Sequence, residues 1–243
     1  MQIPLEIINL SKIYDNKEAV KNISFRLNKN EILGILGPNG CGKTTTIAMI
    51  LGLLKPSSGQ VLINGNEIEK KRVDLLGQLN FISPYIELPK KLTVKQNLEV
   101  YGRLYDVRNL KEKIDSLSKK LRLENIINKI TGELSSGQKN RVSLAKSIIN
   151  DPVVLLLDEP TASLDPETGD FVRSFLEDYQ IEKKASILIA SHNMAEVERL
   201  CSSVLMMNGG TIIDQGTPNE LIKKHGRKNM EEVVLKLTRG KNE

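Results

Sequence analysis

The chain has 243 residues, 40% hydrophobic and 27% charged, the balance of a globular domain able to bury a sizeable core. Aromatic residues make up only 4% and tryptophan is absent, which argues against recognition of nucleic acid by base stacking, though not against phosphate contacts. The net charge of +5 resides partly in two short basic stretches far apart, 69–72 and 223–228, which read as solvated surface, and the two cysteines, Cys41 and Cys201, lack the spacing of a disulfide framework and fit a reducing compartment.

The opening residues, Met1 to Glu6, lack the basic-then-apolar layout of a secretory signal. Leu5 to Leu10 is β-prone, Ile23 to Leu27 alternates apolar with polar residues, and Glu31 to Leu36 is an apolar strand ending at Gly37. After a glycine-rich loop, Thr44 to Leu54 predicts a buried helix closed by Lys55-Pro56, and Val61 to Ile63 a strand turning at Asn64-Gly65. The middle of the chain is helical. Thr93 and Gln96 have capping-box spacing, and Val94, Leu98, Tyr101 and Tyr105 share one face. Leu110, Ile114, Leu117 and Leu121 repeat that spacing, and a third helix is predicted from Ser136 to Asn150.

Strand and helix then alternate. Val153 to Leu157 is a continuous apolar run, as in a parallel strand buried on both faces, and Ser186 to Ala190 is a second. Asp165-Pro166 opens a helix; Ser203 to Met207 and Thr211 to Asp214 form a hairpin through Asn208-Gly209-Gly210; Thr217 to Glu220 opens a short helix. The longest apolar runs, 47–54 and 153–157, fall far short of the about 18–20 residues of a membrane-spanning helix.

Two motifs carry chemistry. Gly37-Pro38-Asn39-Gly40-Cys41-Gly42-Lys43-Thr44 fits G-x-x-x-x-G-K-[ST] between a strand and a helix. Its glycines let backbone N–H groups close around phosphate oxygens, the helix start adds a positive dipole end, Lys43 supplies a cation, and Thr44 a hydroxyl for Mg²⁺; Thr45 follows in the same turn. Cys41, near that helix start, is expected to have a lowered thiol pKa and to be open to alkylation against which ATP protects. In Val153 to Glu159, Asp158 is expected at a strand end beside this loop as a magnesium ligand, and Glu159 next to it as the general base for an attacking water.

Three further segments complete a family pattern. Leu134-Ser135-Ser136-Gly137-Gln138 resembles the LSGGQ element of ATP-binding cassette (ABC) ATPases, Ala162-Ser163-Leu164-Asp165 resembles their D-loop, and Ser191-His192 their switch histidine. Tyr14 falls where the family places an aromatic against adenine. Taken singly, Ser135 and Gln138 are a capping box, Asp165-Pro166 a helix entry, His192 a surface or core residue and Tyr14 a packing residue; together and in order, over about residues 5–221, they resemble this family.

The resemblance implies an α/β fold: a P-loop NTPase with a RecA-like core, an antiparallel β subdomain and an inserted α-helical subdomain. Residues 1–225 would form the ATPase domain, with the helical insertion over about 88–150, and 226–243 a charged C-terminal tail. It further implies ATP and Mg²⁺ as cofactors. Two cassettes, expected as a homodimer, would meet head to tail, Ser135 to Gly137 of one facing the phosphates held by Lys43 of the other, with Gln138 in the same element. His192 would orient the water near Glu159, and Asp165 would communicate across the interface.

One complete cassette without a membrane span, and an ending like that of exporter subunits (216–221, then 231–237), point to an ATPase that powers a separate transmembrane permease. It would sit in the cytoplasm on the inner face of the membrane, with no nucleic acid as partner. The alternatives are a soluble ABC ATPase acting on nucleic acid or ribosomes, and a regulatory cassette that hydrolyses poorly. The last arises from one departure: the family's usual Gln at the junction with the helical insertion is Pro84 here, so a contact toward the metal is missing or supplied by another group such as Ser83. Ser136 also replaces the first Gly of the LSGGQ pair, a small and tolerable change.

Overall fold

The computed structural model describes residues 2–84 and 86–239. The chain begins with β1 (Leu5–Tyr14), β2 (Lys17–Leu27), β3 (Ile32–Leu36), α1 (Lys43–Ile50), β4 (Ser58–Ile63), β5 (Asn66–Glu67), α2 (Arg72–Leu76) and β6 (Leu79–Ile82). Three helices follow, α3 (Val94–Leu104), α4 (Leu110–Lys120) and α5 (Ser136–Ser147). Next come β7 (Val154–Asp158), α6 (Pro166–Lys183), β8 (Ser186–Ser191) and α7 (Met194–Leu200). The chain closes with β9 (Ser203–Asn208), β10 (Thr211–Gly216), α8 (Pro218–His225) and α9 (Met230–Arg239).

Two sheets organise these elements. The first is antiparallel, in the order β2-β1-β4-β5; the second runs β10-β9-β3-β8-β7-β6, parallel except for β10 at its edge. Because side chains alternate across a strand, each apolar run of the second sheet feeds two cores. In β7, Val154 and Leu156 pack on one side, Leu155 and Leu157 on the other, and β8 divides Leu188 and Ala190 from Ile187 and Ile189 in the same way. The first side is covered by α1 (Ile47, Met49, Ile50) and by the antiparallel sheet through Leu5, Ile7, Phe25 and Val61. The second is covered by the helices, through Leu98, Leu117, Leu144, Leu176 and Val197 among others.

Local chemistry explains the element ends. Thr93 Oγ1 accepts from the Gln96 amide at 3.1 Å and Gln96 Oε1 from the Thr93 amide at 2.9 Å, so the expected capping box starts α3. The helix expected to run to Leu54 stops at Ile50. There Leu53 N–H reaches Ala48 O at 2.9 Å and Gly52 N–H reaches Met49 O at 3.0 Å, with Gly52 left-handed at φ 62°, a Schellman closure that the residue after Leu51 makes cheap. Likewise α5 ends at Ser147 rather than Asn150. The stretch 226–243, expected as a charged tail, is not one throughout. Residues 230–239 form α9, whose Met230 and Val233 are buried in the helix-side core; residues 240–243 lie outside the described residues. Its charges hid an apolar stripe of helical spacing.

Candidate nucleotide site and its catalytic loops

The phosphate loop connects β3 to α1. Gly42 precedes the helix at φ 108°, and a Cβ there would lie 2.7 Å from Ala19 O, so the loop turns tightly against β2 only because no side chain is present. Gly210 N–H, from the β9–β10 hairpin, donates to Cys41 O at 3.1 Å and pins the loop from the other side. Lys43, only 7% exposed, arches back over the loop and donates to Gly37 O at 2.6 Å and Pro38 O at 3.3 Å. Pro38, Asn39, Gly40 and Thr44 are exposed around it and Thr45 partly so, which leaves a cation and a helix start directed at an accessible rim.

Cys41 departs from expectation. Its side chain is 2% exposed, and burial pushes its thiol above the ordinary value, outweighing the lowering influence of Lys43 and of backbone N–H groups. A helix start stabilises a thiolate only where the sulfur stays near water, and this sulfur is in the core beneath the loop.

Asp158 ends β7, 3% exposed. Burial, then the neighbouring Glu159 carboxylate, raises its pKa, while Ser83 and Lys43 pull it down; Ser83 Oγ lies 3.4 Å from Asp158 Oδ2. The strand edge β6, beside β7, thus delivers a hydroxyl to this carboxylate from the residue immediately before Pro84. Glu159 follows with φ 51°, an unusual conformation for a non-glycine residue, held by its N–H donating to Ala190 O at 2.8 Å. That turn aims its carboxylate at the end of β8, where His192 Nδ1 stands 2.7 Å from Glu159 Oε1. Lys43, Asp158, Glu159 and His192 therefore gather at the carboxyl ends of adjacent parallel strands, the usual ligand side of an open α/β sheet.

The other expected site residues lie at the α5 start, at the entry to α6 and on the β1–β2 hairpin. Ser135 caps α5 and makes the full reciprocal box with Gln138, at 3.1 and 3.3 Å; Ser135 and Ser136 are exposed, Gly137 partly. Ser136 lines a cleft of about 210 Å³ with Ser83, Pro84, Asn140, Glu159 and Leu164. Asp165 is exposed and accepts from the Thr168 N–H at 2.9 Å, a bond that holds its carboxyl below the usual range. Tyr14 is 45% exposed at the turn end of the β1–β2 hairpin, with the Lys12 ammonium 5.1 Å from its ring centre.

Two polar residues went unnoticed in the sequence. Asn140 donates to Pro160 O at 2.8 Å, tying α5 to the loop after Glu159. Glu196, 1% exposed on α7, bonds to the loops of both Glu159 and His192. Its only sequence signal is Asn193 three residues earlier, a helix-start spacing that hides a buried carboxylate.

The donors present suit Mg²⁺. No group of three or more His, Cys, Asp or Glu able to hold a metal occurs among the described residues. A hard cation that takes one carboxylate and a hydroxyl, filling its remaining positions with phosphate oxygen and water, needs no such cage, and Asp158 with Thr44 matches that pattern.

A strand–loop–helix phosphate cradle, a buried carboxylate at a parallel strand end and an acid–histidine pair define a P-loop ATPase. The comparisons sharpen this. The family described as ABC transporter matches residues 20–162, more than half of the chain. The "ABC transporter ATP-binding protein NatA" of Bacillus subtilis (strain 168) is 34% identical over 227 residues, covering 92% of each chain. The "Nod factor export ATP-binding protein I" of Rhizobium sp. (strain N33) is 33% identical over 226 residues, covering 92% of this chain and 74% of that one. A solved structure of the ATP binding subunit of an ABC transporter superposes with a TM-score of 0.88 at 27% identity, covering 96% of this chain and 99% of its own. The chain belongs to the ABC transporter family, as an ATP-binding and ATP-hydrolysing subunit. No helix among the described residues is long and apolar enough to cross a membrane.

Proposed function

We propose that this subunit holds Mg-ATP between two copies of itself and uses the formation and loosening of that sandwich to drive a separate membrane permease, in the export direction. The carrying observation is the exposure of the Ser135–Gly137 start of α5, a helix terminus and two hydroxyls open to an anion. A second copy supplies that anion. Within each site, backbone N–H groups of 37–45 and Lys43 grip the phosphates, and Thr44 and Asp158 hold the metal, which when bound neutralises charge developing on the phosphate oxygens. Glu159 takes a proton from the attacking water, His192 holds the Glu159 carboxylate in place, and Asp165 lies at the seam. Tyr14 offers an exposed ring for the adenine.

Ser83, 3.4 Å from Asp158, supports hydrolysis despite Pro84, because a hydroxyl occupies the place next to the carboxylate. Export is favoured by the relative named for Nod factor export, and the permease by the cleft at Pro84, whose rim carries the exposed Ile86. Docking there places the subunit on the inner face of the membrane. The test is the Glu159→Gln variant with ATP: sizing chromatography should give a dimer that disperses when ATP is removed, and solubilised membranes should yield a co-purifying membrane polypeptide. A variant that stays monomeric at saturating ATP contradicts the sandwich.

A further inference from the structure

One buried carboxylate outside the described machinery joins the two catalytic loops. Glu196 Oε1 accepts from Thr161 Oγ1 at 2.9 Å, and Oε2 accepts from Ser191 Oγ at 2.6 Å. Thr161 lies two residues after Glu159, and Ser191 immediately before His192. The clamp is itself anchored. Glu196 N–H donates to Asn193 Oδ1 at 3.2 Å, and the Ser191 hydroxyl accepts from Asn193 N–H at 3.0 Å, so the first turn of α7 and the His192 loop form one bonded unit. On the other side, Ala162 N–H donates to Glu159 O at 3.1 Å, which makes Thr161 part of the tight turn that holds Glu159 at positive φ.

We propose that Glu196 is a positioning residue for ATP hydrolysis, setting the Glu159 and His192 loops against each other through Thr161 and Ser191; this rests on the reading that Glu159 and His192 act together on the attacking water. A carboxylate suits the task because it is acceptor-only, so both hydroxyls must point their protons inward. Ser191 then keeps a lone pair for the Asn193 amide. The carboxylate is also costly to keep in place. Burial raises the Glu196 pKa most, and the Glu159 charge raises it further, while the Ser191 and Thr161 hydrogen bonds offset this. A buried carboxylate bonded to two hydroxyls and, among the described residues, paired with no cation is a poor stabiliser of the fold, so its placement makes sense chiefly as a geometric constraint. His192, 64% exposed at its side chain, has little packing of its own to fix it at 2.7 Å from Glu159.

The experiment compares the full chain with Glu196→Ala, Glu196→Gln, His192→Ala and the double variant Glu196→Ala/His192→Ala, measuring kcat, KM for ATP and direct nucleotide affinity. Misplacing the pair should lower kcat of Glu196→Ala by about 10²-fold, as expected for a displacement of roughly 1 Å, with KM and nucleotide affinity within about threefold of wild type. Glu196→Gln, which keeps an acceptor and lets one hydroxyl reverse, should stay within about tenfold of wild type. In the His192→Ala background, Glu196→Ala should cost nothing further, because its effect passes through that pair. If Glu196→Ala fails to fold, Thr161→Val and Ser191→Ala remove the same two bonds singly and carry the same expectation. Unchanged kcat, or a loss that adds in full to that of His192→Ala, overturns the proposal. If His192→Ala and Glu159→Gln themselves hydrolyse ATP normally, the reading of the site fails, and the role of Glu196 with it.

Discussion

The His192 imidazole nitrogen Nδ1 lies 2.7 Å from the Glu159 carboxylate, although the two residues follow different strands, β7 and β8. Adjacent parallel strands end side by side, so a residue one step past each end meets its counterpart without any long-range loop. In the proposed role as general base, a Glu159 carboxylate held in this way is preorganised. Glu159→Gln keeps the shape but removes proton acceptance. We expect nucleotide affinity to remain within a few-fold of wild type while turnover falls by about 10²–10⁴-fold, read from ATP hydrolysis and equilibrium binding on the same preparation.

Lys43→Ala should act on binding rather than on turnover. The ammonium is the one side-chain cation arched over the loop among the residues of the motif, and charge-assisted hydrogen bonds to phosphate are worth roughly 1.5–3 kcal/mol. Nucleotide affinity should therefore weaken by about 10–100-fold, measured by titration calorimetry. Equal losses of affinity in Lys43→Ala and Glu159→Gln would contradict the division of roles.

Neither thiol should react in the folded chain. Cys41 and Cys201 are both buried, and burial raises both thiol pKa values. Treatment with a maleimide near neutral pH should label neither residue by mass spectrometry, with or without ATP, while denatured chain is labelled at both. Rapid labelling of Cys41 in native protein would reverse this.

Lys146 should make stability depend on alkaline pH. Its ammonium is 8% exposed, bonded to Asn80 Oδ1 at 3.1 Å and Phe81 O at 3.3 Å, and it faces the rings of Phe81 and Tyr101; these partners are neutral, and burial lowers its pKa to about 8. Between that value and the ordinary lysine value, the unfolded chain binds more protons than the native one, so stability rises with pH. Below pH about 8 the burial penalty is fully present. From pH 8 to 10 the native protein should gain about 2 kcal/mol relative to Lys146→Met, by urea unfolding of both at each pH.

Met230→Ala tests whether α9 belongs to the fold. Met230 is fully buried against the helix-side core, and its amide donates to Glu198 Oε1 at 2.6 Å. Truncation of a buried methionine costs about 2–5 kcal/mol. Thermal unfolding should shift downward, whereas a loosely attached tail would leave it unchanged.

What was legible in the sequence follows from where its signals are local. The phosphate loop, the Thr93 and Ser135 caps and the hairpin at Asn208 each depend on near neighbours and stand where the residues indicated, and the strand read over Val153–Leu157 forms one residue later, Val154–Asp158. Two kinds of feature were not legible. Elements shorter than a clear period, such as β6 and α7, are stabilised by their place in the sheet and core rather than by their own composition. Burial of individual polar groups depends on chain segments far apart: Cys41, expected to be reactive beside a helix start, and Glu196, not singled out by the sequence, are both buried once the sheets close around them.

Among the described residues, the strand β6 has a strand partner on one side only, β7, and runs out at Ile82 just before Ser83 and Pro84. An interior strand is held by two ladders; this one is held by one, together with bonds from Asn80 and Phe81 O to Lys146 and Asn150. A pull applied at the cleft would pass along that ladder to β7, whose last residue is Asp158, and through Asn80 and Phe81 to Lys146 and Asn150. With Asp158 as the proposed metal ligand, such a pull would reach the metal site from the margin of the sheet, against the frame of its interior strands.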